Sequence, residues 1–89
     1  MNETQSTMTI QPVMPVTLML VLRRKLGLSQ YALSRLTGVA QPTISWVERG
    51  ESASQVQIGA LAHFFEIPVE DLQMDYAEYV LREQKEAAG

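Results

Sequence analysis

The chain has 89 residues, a net charge of −3, 46% hydrophobic residues and no cysteine. That size and apolar content suit one small domain with a real core, while the missing cysteines exclude disulfide staples and thiolate metal sites. The longest apolar run, Leu18–Leu22, is far too short to span a bilayer, and residues 1–15 lack the pattern of a secretory signal, so a cytoplasmic location is expected.

Residues 1–14 are polar and aperiodic and read as a flexible tail. Pro15 suits the first position of helix 1, where an amide would have no partner to lose. The helix runs to about Leu26 and stops at Gly27, a natural left-handed cap. Its first half, VTLMLVL (16–22), is apolar almost all round, so some further element must cover its second face. Helix 2 follows the N-cap Ser29 and ends at Gly38. Helix 3 starts near Gln41, with Pro42 in its first turn, and ends at Gly50; Ala40 is a poor cap. Gln30, Leu33, Leu36, Ile44 and Val47 are spaced to bring two stripes together across the Gly38 turn, which is helix-turn-helix geometry. Ser54 and Gln57 form a capping-box pattern opening helix 4, where Ile58, Leu61, Ala62 and Phe65 repeat every three or four residues. Pro68 opens a short fifth helix anchored by Leu72. A last helix, from Asp75 to about Glu86, places Tyr76, Ala77, Val80 and Leu81 on one face, with Tyr79 beside them.

The expected fold is therefore all-α: a compact five-helix bundle containing a helix-turn-helix, with an added C-terminal helix. The corresponding division is a tail at 1–14, a helix-turn-helix domain at 15–73 and a C-terminal extension at 74–89. Charge follows this division. Residues 16–50 carry Arg23, Arg24, Lys25, Arg35 and Arg49 against Glu48, a balance of +4, whereas residues 66–89 carry a balance of −5. Such asymmetry suits one face turned to phosphate and another to solvent or a partner.

On the segments LRRKLGLSQ (22–30), LSRLTGV (33–39) and TISWVERG (43–50), the chain resembles the lambda-repressor-like, Cro/repressor-type (xenobiotic-response-element type) helix-turn-helix family. The resemblance runs without a gap over about residues 16–72. It implies a bundle that dimerises on palindromic operator DNA, with a partly buried Arg23–Glu48 ion pair tying helix 1 to the end of helix 3. It also implies a phosphate contact from Gln30 and base-edge positions at Gln41, Pro42 and Trp46, with Thr43 and Ser45 nearby on the same outer surface. The chemistry of Gln41 agrees, since a side-chain amide pairs bidentately with adenine. Pro42 and Trp46 depart from the usual polar choices and offer apolar contact with a thymine methyl. Arg35 and Arg49 are the remaining phosphate candidates. Three other departures stand out: the loop Glu51–Gln57 has no basic residue, Glu66 occupies a site where Gly is common, and Ser34 replaces the usual Ala. A left-handed Glu66 or a shifted helix end is expected. With so few cations, the salt slope should be about −3 to −4.5 per protomer.

The resulting expectation is a transcription regulator of bacterial or phage type, a dimeric repressor that places helix 3 in the major groove of double-stranded DNA. The dimer would use the second face of helix 1 (Leu18, Val21), the last helix (Tyr76, Tyr79, Val80), or both. The alternative is a protein-interaction module on the same scaffold, such as an antitoxin subunit or a regulatory adaptor, docking through the C-terminal helix or Trp46. Trp46 lies about 200° around helix 3 from Ile44 and so points away from the core; DNA, a partner and the chain's own C-terminal segment are its three candidate neighbours. His63 is expected on the surface. No metal-ligand cluster, glycine-rich phosphate loop or nucleophile–base pair is present, so neither metal, cofactor nor catalysis is expected.

Overall fold

The computed structural model describes residues 16–88, so the expected tail at 1–14 and the expected helix start at Pro15 lie outside the described residues. Among the described residues five α-helices and one 3-10 turn follow in order: α1 Leu18–Lys25, α2 Gln30–Thr37, α3 Gln41–Glu48, α4 Gln55–Phe65, the turn Val69–Asp71, and α5 Tyr76–Ala88. The fold is all-α. An isolated antiparallel bridge joins Thr17 to Asp75.

Thr17 is the N-cap that sets the start of α1 at Leu18. Its hydroxyl accepts from the Leu20 amide and donates to the Glu48 carbonyl at 3.0 Å. The amides of Leu18 and Met19 donate to the carbonyls of Met74 and Leu72, and the Tyr76 amide donates to Val16. The first three amides of α1 thus find partners outside the helix, which a helix start otherwise leaves unmade.

Local chemistry sets the other ends. Ser29 Oγ accepts from the Ala32 amide, and Gly38 closes α2 at φ 77°. Ala40 supplies no side-chain cap to α3. The Ser54–Gln57 capping box is formed at both of its bonds, and Glu66 ends α4 in the left-handed region at φ 58°. The expected fifth helix is instead the 3-10 turn, entered through Pro68. Its geometry still buries Leu72 completely.

The core is built from Met19, Leu33, Val39, Ile44, Val47, Ile58, Leu61, Ala62 and Leu72. Each of its larger side chains contributes about 1.5–3 kcal/mol by leaving water. Leu36 is not among them. It is 60% exposed, because the inner stripe of α2 runs through Gln30, Leu33 and Thr37, and Leu36 falls outside that arc.

The second face of α1 is covered by the chain's own C-terminal helix. α5 packs on α1, capped by Asp75, whose carboxylate accepts from the Glu78 amide. Tyr76, Tyr79 and Val80 are half-buried on it, and Lys25 Nζ lies 5.9 Å from the centre of the Tyr76 ring. Leu18, expected at a dimer contact, is 1% exposed; this chain's own core already occupies it. The expected stripe also splits. Val80 turns inward, while Ala77 and Leu81 face out.

Candidate nucleic-acid interface

The exposed side of α3 is held in place by a directional chain of polar contacts. Arg23 donates from Nε and Nη2 to the two carboxylate oxygens of Glu48, the second at 3.1 Å. Its Nη1 also donates to the Leu28 carbonyl at 2.7 Å. Both side chains of this ion pair are buried. Gln30 Nε2 donates to Glu48 Oε1 at 2.9 Å, and Gln41 Nε2 donates to Gln30 Oε1 at 2.7 Å.

The order of these bonds has a physical cause. A carboxylate only accepts, so Gln30 must turn its NH2 toward Glu48 and its carbonyl toward Gln41. Gln41 then uses one N–H on Gln30, and among the described residues its second N–H and its Oε1 have no partner. That is the donor and acceptor pair complementary to adenine N7 and N6 in the major groove. Gln30, assigned to phosphate by the resemblance, is half-buried and has both ends of its amide engaged within the chain.

Counting about 100° per residue from Ile44, Ser45, Arg49, Pro42 and Trp46 share the outer arc of α3. Gln41 and Pro42 are exposed, Ser45 is half-buried and Trp46 is 45% exposed. Thr43, expected on this surface, is only 5% exposed. It falls on the flank toward α4, where Gln57 Nε2 donates to its hydroxyl at 3.5 Å; it is a packing residue and not part of the outer face.

The cations around this face differ in their freedom. Arg49 donates to Ser45 Oγ and to Glu51 Oε2, the latter at 3.1 Å, so part of its charge is already answered. Arg35 is exposed at the far end of α2, with its guanidinium over the Tyr31 ring and a 3.4 Å bond to the Tyr31 hydroxyl. Arg24 is exposed and lines an open cleft of about 270 Å³ together with Gln30, Ser45 and Arg49. Sequence reasoning passed over Arg24. The run Arg23–Arg24–Lys25 holds the signal, because adjacent helical positions point about 100° apart, so only one of them can enter the core.

Gln73 was also passed over. Its Nε2 donates to the carbonyls of Val47 and Glu51, at 3.3 and 2.7 Å. With Thr17 on Glu48, these bonds satisfy carbonyls at and after the end of α3 and fix how that helix sits on the bundle. No local pattern points to a bond spanning more than twenty residues.

A family model described as "Helix-turn-helix" matches residues 21–72. The match covers more than half of the chain and runs from within α1 through the 3-10 turn. This chain belongs to the Cro/C1-type helix-turn-helix family. Its bundle is accordingly of the lambda-repressor-like kind, and the family is one of DNA-binding regulatory domains. No curated protein and no solved structure matched the chain. In this helix-turn-helix protein α2 braces α3 across Gly38, and α5 lies beyond the matched stretch. Among the described residues, no three His, Cys, Asp or Glu side chains cluster to hold a metal ion, and no helix is long and apolar enough to cross a membrane.

Proposed function

We propose that this protein is a sequence-specific transcription regulator, a dimeric repressor that lays α3 of each protomer into successive major grooves of a palindromic operator about 34 Å apart. One observation carries the reading. The outward amide of Gln41 is oriented by the buried Glu48 through Gln30, so a base-reading group is pre-arranged on an exposed helix face. Arg24, Arg35 and Arg49 would contact phosphate, and Gln30 would add its second N–H. The dimer would form through the outer side of α5, where Ala77 and Leu81 are exposed one turn apart, with Tyr79 and Val80 at its edge and Val21 of α1 beneath. This assigns the helix-turn-helix domain to 15–73 and a dimerisation extension to 74–89.

The test is a fluorescence anisotropy titration against duplexes selected from a random pool and against the DNA upstream of the protein's own gene. Binding to a selected duplex at least tenfold tighter than to random DNA, at about 100 mM salt, is expected. Equal affinity for both would overturn the reading. One observation favours a second reading, an antitoxin subunit or regulatory adaptor on the same scaffold: Glu51 pairs with Arg49, and the loop after α3 has no cation of its own. In that case a partner protein would bind in a Trp46-dependent way, and no salt-dependent DNA binding would be seen.

A further inference from the structure

On the exposed side of α3, Gln41, Ser45 and Arg49 all hydrogen-bond to neighbouring side chains. Pro42 and Trp46 stand among them as apolar surface, with the indole 45% exposed. They are four residues apart, so they are neighbours on the helix surface, about 6 Å from each other along its axis. An indole nitrogen offers one donor and proline none, so neither side chain can make the paired hydrogen bonds that name a base. The apolar group that a base pair displays in the major groove is the 5-methyl of thymine.

We infer that Pro42 and Trp46 read thymine methyl groups close to the adenine read by Gln41. The inference rests on the DNA-binding reading above and adds to it the chemical content of the site. Two features favour DNA over a protein as the occupant. The apolar patch is continuous with the outward amide of Gln41 and flanked by Arg49. Two apolar side chains are also far fewer than the roughly 20–30 residues a side that a stable protein interface uses. From Gln41 to Trp46 the helix rises about 7.5 Å, close to two base-pair steps, so the methyls belong within about three base pairs of that adenine.

The experiment selects a binding site from random duplexes with the wild-type protein, then replaces its thymines one at a time with uracil. Uracil pairs identically and lacks only the methyl. At one or two thymines beside the key adenine, uracil should weaken binding about fourfold each, the value of one buried methyl. Trp46→Ala or Pro42→Ala should erase that difference while keeping the adenine preference. A selected site that tolerates uracil at every thymine, or that has no thymine near the adenine, overturns the inference and leaves the regulator reading standing. Failure to enrich any sequence overturns the regulator reading first. If Trp46→Ala weakens thymine and uracil duplexes equally, or instead abolishes capture of a protein partner, methyl reading is also overturned. The uracil scan on the wild-type protein needs no variant to fold.

Discussion

A glutamine amide in water rotates freely, and ordering it at a binding step has an entropic cost of about 0.5–1.5 kcal/mol. Gln41 meets part of that cost before any ligand arrives, because Gln30 and Glu48 already hold it. Gln41→Ala should therefore reduce discrimination for its base by about 1–3 kcal/mol, measured as the ratio of affinities for the selected site and its single-base variants. Arg24→Ala should weaken all duplexes alike and flatten the salt slope by about 1; a selective loss would mean that Arg24 touches a base. Glu51 provides the opposite experiment. Glu51→Gln removes the partner of Arg49 and should strengthen binding to every duplex, with a salt slope steeper by up to about 1, checked by titration at several salt concentrations. At this scale Gln41, Trp46 and Arg49 were legible as an exposed polar and aromatic face. Thr43 was misplaced because its burial depends on Gln57, on another helix.

The helices owe their ends to single residues whose conformations differ in cost. Gly38 takes φ 77° at the turn, and a Cβ built there would meet nothing within 4 Å. The price of Gly38→Ala is thus conformational alone, about 1 kcal/mol of stability. Glu66 adopts the same left-handed region with a side chain attached. Glu66→Gly should raise stability by up to about 1 kcal/mol, a rise of some 4–8 °C in melting temperature for a domain of this size. Thermal melts followed by circular dichroism check both, and a Glu66→Gly variant that melts lower would disprove the strain. The caps at Ser29 and Ser54 and the Gly38 turn were readable from residue type, whereas the left-handed Glu66 was one of two outcomes that the family resemblance left open. The start of α1 was not, because the amides of Leu18 and Met19 are paired by residues 72–74, more than fifty positions away.

For the molecule as a whole, Asp71 adds an ion pair with Arg82 to the packing and the Thr17–Asp75 bridge that join the helix-turn-helix bundle to α5. Its buried carboxylate receives two bonds from Arg82, at 3.0 and 2.9 Å. Hydrogen bonds from Arg82 hold the Asp71 carboxyl below its ordinary value of 3.8, against the upward push of burial, and the guanidinium charge adds to the lowering. The same bonds raise Arg82 above its ordinary value. A carboxyl lowered in the folded state contributes stability that is fully present above the unfolded-state value and is lost as pH falls through the lower folded-state value. The α5 join should therefore hold unchanged from pH 7 to about pH 4 and loosen only below that. Asp71→Asn should remove this acid-dependent part, so its melting temperature should fall less steeply below pH 4 than that of the wild type. Parallel slopes would show that Asp71 adds nothing to the join.

The starts of α2, α3 and α4, the serine caps and the central turn follow from spacing and residue type within about ten neighbours, and the family resemblance from motifs along the chain, so the sequence alone determined them. The resemblance also named the Arg23–Glu48 pair correctly, since the motif specifies both ends. Tertiary structure decided what depends on distant partners. It placed α5 over α1 of the same chain, withdrew Leu18 and Thr43 from the exposed surface, and set the direction of the Gln41 amide. The reason is physical: a helix period tells which side chains share a face, but only packing tells what that face meets.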